Sequence, residues 1–232
     1  MSEAFSTLVL KRPTAVVVWT IALGTAFRIA MAFAGIDFDH TEAYYLANAR
    51  HLALSYFDHP PLTFWITWAT RAVTGADALP ILRAPFIAMF IGTTWMTYRL
   101  GARLFDQRAG AAAVLLLNLS PVFTISFAAW VQPDGPAIFF VLAAILLIVR
   151  LEDIAAPDQR LKAWLGVGAC FGLALLSKYS AAVTAIGLLL FAITSRNHRR
   201  WFSEPGPYLG AALAFLIFSP VLIWNWRHGW VS

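Results

Sequence analysis

The chain has 232 residues, 60% of them hydrophobic and only 12% charged, with a formal net charge of +5. Soluble domains carry about 25% charged residues, so half that share, at a mean hydropathy of +0.69, excludes an ordinary water-soluble domain. The basic residues fall in small groups between apolar runs, a pattern that orients membrane segments and argues against nucleic acid as a partner.

The first apolar segment, 13–35, follows Lys11 and Arg12. It is longer than the ~7–15-residue core of a signal peptide and precedes no small-residue cleavage site, so it is expected to stay as an anchor. Six more apolar segments follow at 80–98, 109–129, 135–149, 163–177, 181–194 and 207–224. Several match the ~20 residues of a spanning helix; those at 135–149, 163–177 and 181–194 are short and read as tilted or partly buried. About seven segments predict an all-α integral membrane protein, a multi-pass helical bundle read as one domain. Cys170 is the single cysteine, so no disulfide framework exists. With the N-terminus cytoplasmic, eleven Lys and Arg fall on that side and five on the other, with Arg28 inside the first segment. That asymmetry puts the polar loop 36–79 outside. Asp37, Asp39, Glu42, Asp58, Asp77 and Asp134 all fall on the same outer side.

The outer loop has its own pattern. A short helix is expected over 41–54, with Tyr45, Ala49 and Leu52 on one side. Next comes Tyr56-Phe57-Asp58-His59-Pro60-Pro61-Leu62, a bend stiffened by two prolines and followed by a helix start. Beyond it Thr63, Thr67, Thr70 and Thr74 share one helical face, and Trp65, Trp68, Ala69 and Ala72 another. This reads as an amphipathic helix in the interface, ended by Gly75. The chain closes on an aromatic boundary motif, Trp224 to Trp230, which reads equally as the end of an odd number of spans or as a point at which a longer protein is cut.

Ionisable groups near a membrane face water, pair, or work. Glu42 or Asp39 can serve as a general base, with Tyr44 and Tyr45 lining a sugar or lipid; equally, Asp39 or Thr41 can cap a helix that Glu42 favours in its first turn. Asp134, in Gln132-Pro133-Asp134-Gly135-Pro136, is either a second acid of the site or a helix cap. Lys178 at headgroup level can neutralise a phosphate or snorkel to the interface, and Arg28 and Arg83 pose the same choice. Asp58 and His59 sit in the stiff bend. His40, Glu42, Asp58 and His59 share the loop, yet without HxxxH or HExxH spacing, so a divalent metal is possible but not favoured. Glycine-rich phosphate loops and a GxSxG elbow are absent, which leaves nucleotide use unsupported.

Several motifs in fixed order carry a resemblance: Ala43-Tyr44-Tyr45 after an acid, the Tyr56–Leu62 stretch, Arg83, Pro133-Asp134, Gly172 to Tyr179, and Ser219 to Asn225. Together they resemble glycosyltransferase family 39, bacterial relatives of protein O-mannosyltransferases and of lipid A aminoarabinose and galacturonic acid transferases. The resemblance implies a type C glycosyltransferase fold with the active site on the outer, periplasmic face of the bacterial inner membrane. It implies a polyprenyl-phosphate sugar donor, a lipid, glycan or protein acceptor, and no required cofactor. An acid just after the first helix would be the base. The family commonly has Asp-Glu before Ala-Tyr-Tyr; here Thr41-Glu42 stands instead, leaving Glu42 or Asp39 in that place. Asp134 matches the second acid, Lys178 a lysine suited to the donor phosphate, and His59 a position where relatives carry lysine. Arg28, Arg83 and His59 join Lys178 as candidates to stabilise the leaving phosphate. The competing readings are a non-catalytic lipid-sugar-binding subunit and a lipid-linked-sugar transporter, which would place ionisable residues near mid-membrane.

Overall fold

The structure is a computed structural model that describes residues 12–34 and 40–232. Its described residues form helices and turns, with no strand among them. In chain order the α-helices are α1 (Pro13–Phe33), α2 (His40–Asn48), α3 (Leu62–Thr74), α4 (Leu79–Leu104), α5 (Gln107–Leu119), α6 (Asp134–Arg150), α7 (Pro157–Ser177), α8 (Ala181–Thr194) and α9 (Gly206–Arg227). Each of the seven apolar segments is helical over most of its described residues. Five stretches are long and apolar enough to cross a membrane: α1, α4, α6 with its continuation to Asp153, α7 and α9. At ~1.5 Å per residue, 20 to 26 residues match or exceed a hydrocarbon core of about 30 Å. Their outward surfaces remain oily, with Trp19, Leu23, Phe33 and Leu216 more than three-fifths exposed, as expected where lipid replaces water. The chain is a helical membrane protein.

Local chemistry sets the helix ends. Pro13 and Pro157 occupy first helical positions, where the missing N–H costs nothing. Asp106 caps α5, its carboxylate accepting from the N–H groups of Arg108 and Ala109 at 2.8 Å each. The segment expected to run unbroken over 109–129 divides at Ser120. That residue takes an extended conformation (φ −73°, ψ 119°) ahead of Pro121, as the clash with a proline ring demands. The chain then re-enters helix as a π-helical stretch, Val122–Phe127. The expected helix over 41–54 stops at Asn48: Tyr45 and Ala49 are buried but Leu52 is 55% exposed. In α3 the threonine face is the inner one, with Thr63 and Thr67 fully buried while Trp68 is exposed. Gly75 ends α3 with φ +66°, open to glycine without strain.

Two compact units result. One runs up to Arg50 and takes in Ile66–Gly135; the other comprises His51–Trp65 and Pro136–Ser232. In the first, Val17, Tyr98, Ala111 and Val114 of α1, α4 and α5 form a small core. Between α3 and α4, a hydrogen bond from Arg71 holds the Asp77 carboxyl below the usual carboxylate range, with Arg71 and Arg50 adding charge attraction. A depressed acid stabilises the fold above its ordinary pKa and loses that contribution as the pH falls through the lowered value.

In the second unit α7 and α9 pack closely, and Trp164, Val167, Phe171, Ala192 and Trp201 build the core beside α6. A polar latch closes one end. Arg160 donates to the carbonyls of Leu151 (2.7 Å) and Ile154 (3.0 Å), and its fork grips Glu204 at 2.7 and 3.1 Å. Arg160→Met strips two carbonyls and a carboxylate of their donor at once. We expect it to destabilise this unit by about 2–3 kcal/mol, the usual loss when charge-assisted bonds are left half made, read as a lowered midpoint of unfolding in detergent.

Candidate active site

Glu42 lies in the first turn of α2 and has no exposed surface. A buried carboxylate needs a counter-charge and donors, and α4 supplies both. The Arg83 guanidinium donates through Nε to Oε1 at 2.9 Å and through Nη2 to Oε2 at 2.5 Å. The Val131 backbone N–H donates to Oε1 at 2.9 Å. Arg83 is itself only 2% exposed, so this is a desolvated, bidentate pair, the geometry in which arginine binds carboxylate best. It ties together α2, α4 and the turn leading to Asp134, three residues beyond Val131. Asp134 is half-buried at the start of α6. Asp39 lies outside the described residues.

Beside the clamp, Arg28 of α1 is 3% exposed. It donates from Nη2 to Asn118 Oδ1 at 2.8 Å and from Nε to the Thr124 carbonyl at 3.3 Å, and its Cζ lies 4.5 Å from the centre of the Phe90 ring. The π-helical turn presents the Thr124 carbonyl, and the Thr124 hydroxyl donates back to the Asn118 carbonyl. A cavity of about 20 Å³ opens between Phe27, Arg28, Met31, Arg83, Thr124 and Trp130. Tyr45 is buried against Tyr44, edge to face with ring centres 5.4 Å apart.

In the other unit the predicted bend is rigid. Pro60 and Pro61 are buried, Tyr56 stacks on Phe64 at 3.8 Å, and Trp65 Nε1 donates to the Ala53 carbonyl at 2.8 Å. The Tyr56 hydroxyl donates to the His51 carbonyl at 2.7 Å, and burial pushes its pKa up. Asp58 is exposed at the tip and His59 half-buried. Lys178 stands half-buried at the break between α7 and α8, its backbone extended.

The structure thus joins Glu42 to Arg83 instead of leaving two independent groups, so the Arg83 fork is spent on a carboxylate and not held out to a phosphate. Asn118, Thr124 and Val131 were not singled out in the sequence. Asn118, a lone amide in an apolar run, and the Ser120-Pro121 break were the available signals.

The first unit thus holds a buried acid–guanidinium clamp beside its first apolar helix, in a multi-pass membrane protein whose described residues include five helices long and apolar enough to cross a bilayer. The chain belongs to the family described as dolichyl-phosphate-mannose-protein mannosyltransferase, whose model matches residues 58–224, in agreement with the family 39 motifs. It is 29% identical over 220 residues to the lipid A galacturonosyltransferase RgtD of Rhizobium johnstonii, covering 90% of this chain and 43% of that protein. It is 23% identical over 210 residues to the lipopolysaccharide core galacturonosyltransferase RgtB of the same organism, covering 89% and 42%. RgtA, also named a lipopolysaccharide core galacturonosyltransferase, is 22% identical over 189 residues, covering 82% and 37%. The chain therefore spans less than half the length of these curated relatives. No solved structure matches.

Proposed function

We propose that the chain forms the membrane part of a glycosyltransferase that moves a sugar from a polyprenyl-phosphate donor to an acceptor hydroxyl. The acceptor is lipid A or the lipopolysaccharide core, with another glycan or a protein as the wider class, and the names of the relatives support that order. The reaction takes place at the outer face of the bacterial inner membrane, with the N-terminus cytoplasmic as the basic residues indicate. The observation that carries this reading is the Glu42–Arg83–Val131 clamp. In a chain of this family, it fastens the helix after the first span to the turn that carries Asp134.

The acceptor oxygen attacks the anomeric carbon, the bond from that carbon to the phosphate oxygen breaks, and the configuration inverts. The acceptor proton passes to a carboxylate, and the polyprenyl phosphate leaves as a monoester anion that nearby cations stabilise. Because that leaving group departs without protonation, no metal or other cofactor is written into the step. A base must come within about 2.6–3.2 Å of the proton it takes. Glu42 has no exposed surface and accepts from Arg83 and Val131; its assigned role is to position the loop. Asp134, or Asp39, is the base. Lys178 neutralises the departing phosphate, and Tyr44, Asp58 and His59 line the substrates.

The test uses membranes containing the full-length protein, a polyprenyl-phosphate sugar and a lipid A acceptor. Asp134→Asn is expected to lower transfer by about 10²–10⁴-fold, the usual contribution of a general base, with expression unchanged. Lys178→Ala is expected to raise the KM for the lipid donor. Full activity of Asp134→Asn would remove Asp134 from the base assignment. Donor binding without any transfer by the wild type would favour a binding subunit, and donor movement across the bilayer a transporter.

A further inference from the structure

We propose that the groove between α8 and α9 holds an acyl chain of an anionic phospholipid, whose phosphate is met by Arg196 and Arg199 at the groove's end. Both helices pack on α7, and they leave an apolar cleft of about 390 Å³ between them. That volume falls within the ~300–1,000 Å³ of small-molecule sites. Val167 and Phe171 of α7 form the floor, Ile186 and Leu189 of α8 one wall, and Ala211 and Phe215 of α9 the other. The floor is buried, while Ile186, Leu189 and Phe215 are half exposed or more, so the cleft opens outward to lipid.

Length and position fit one leaflet. Lining residues on α7 run from Trp164 to Leu175, a rise of about 16 Å at ~1.5 Å per residue. Half of a ~30 Å hydrocarbon core is about the same depth. On α9 they run from Pro207 to Phe215, within the first half of a helix long enough to cross the bilayer. Trp201 and Phe202 line the groove at that end, as aromatic residues do at headgroup level.

Charge decides which lipid. Arg200 is paired with Glu152 at 2.7 Å. Arg196 and Arg199 are exposed and meet no carboxylate among the described residues. Arg199 donates through Nε to the Ile193 carbonyl at 2.7 Å, which holds it at the end of α8, one residue past Ala192 in the groove wall. Two cations without a counter-charge at headgroup level favour an anionic head over a zwitterionic one. The groove stops at Leu175, and Lys178 is not among the residues that line it. A lipid whose phosphate sat at Lys178 would leave both arginines without an anion. In the orientation that the basic residues indicate, the arginines face the cytoplasmic leaflet, where anionic lipids attract such groups.

The experiment gives the full-length protein in detergent three lipids: dioleoyl phosphatidylglycerol, dioleoyl phosphatidylcholine and undecaprenyl phosphate. The first two share their acyl chains and differ in headgroup charge. In native mass spectrometry the wild type is expected to retain one phosphatidylglycerol per chain. It should bind that lipid about 30-fold more tightly than phosphatidylcholine, the combined attraction of two arginines for an anionic headgroup. Arg196→Gln together with Arg199→Gln should bring the ratio close to one. Ala211→Trp, at an exposed position on the groove wall, should abolish retention and leave the Tm of the lipid-free protein unchanged. Equal binding of the two phospholipids by the wild type overturns the headgroup seat. Displacement of phosphatidylglycerol by equimolar undecaprenyl phosphate overturns the proposal in favour of the donor's own chain. A wild type that retains neither lipid, with a lowered Tm in Ala211→Trp, overturns it in favour of a protein segment in the groove. Should Ala211→Trp fail to fold while the wild type retains phosphatidylglycerol, the arginine pair decides, and an unchanged ratio there overturns the assignment. None of these readouts needs turnover, so failure of the glycosyl-transfer reading leaves the test intact.

Discussion

Replacing Arg83 with methionine is expected to destabilise the first unit by about 3–5 kcal/mol, the cost of breaking a buried ion pair from one side, and to abolish transfer. Three donor–acceptor contacts meet on the Glu42 carboxylate, and two come from Arg83. Methionine fills much of the volume but leaves a fully buried carboxylate with one backbone N–H. Glu42→Gln fails from the other side, leaving Arg83 charged, 2% exposed and without its anion. Chemical unfolding in detergent reads the first effect and donor turnover the second. The double variant Glu42→Leu with Arg83→Met removes both charges, and apolar replacement of a buried pair is often neutral or stabilising. It should recover most of the stability but not the turnover, because the link to Val131 is also gone. Recovery of both would reduce the clamp to packing. Recovery of neither would mean the shape of the site needs the pair itself.

Much of this architecture is legible in the amino-acid sequence. Apolar length alone located all seven hydrophobic helices, since lipid tolerates only a backbone whose polar groups are satisfied within the segment. The stiff Tyr56–Leu62 bend and the helix after it followed from proline geometry. Failures came where local pattern and tertiary packing part. The apolar run around Ser120-Pro121 hid a proline break that local sterics dictate. Leu52 has the right spacing to continue α2, yet after Asn48 the chain leaves the helix and that side chain faces outward. Periodicity also divided α3 into two faces without saying which was inner, and Thr63 and Thr67 took the inside. The clamp itself was out of reach of sequence reasoning. Glu42 and Arg83 are 41 positions apart, and each has a sensible role alone, as helix-start acid and as interfacial cation. Only their packing shows that the two charges answer each other, and that the partners of Arg28 among the described residues are neutral.

The second large effect is expected at Gly168, where leucine should destabilise the α7–α9 pair by more than about 3 kcal/mol, at or beyond the usual range for overpacking a core. A Cβ there would overlap the Gly210 backbone, so the two helices must move apart. Gly210 is equally confined, its Cβ meeting the Trp164 carbonyl at 2.6 Å, and a Cβ on Gly172 would lie 2.8 Å from Ile217 Cβ. Glycines therefore recur at four-residue spacing on both helices, at 168 and 172 and at 206 and 210. This is the small-residue seam that lets backbones approach in lipid. In that solvent little hydrophobic force draws helices together, and association depends on dispersion contacts that fall away within an ångström of separation. Moving the helices apart also loosens Trp164, which stacks edge to face on Trp201 with ring centres 5.2 Å apart and donates through Nε1 to Glu204. Gly187→Leu in α8 is the control: a Cβ there meets nothing within 4 Å, so the substitution should cost little and gain some helix propensity. Unfolding of both variants in detergent separates the two cases. Equal stability of Gly168→Leu and Gly187→Leu would show that the close approach of α7 and α9 does not hold this unit together.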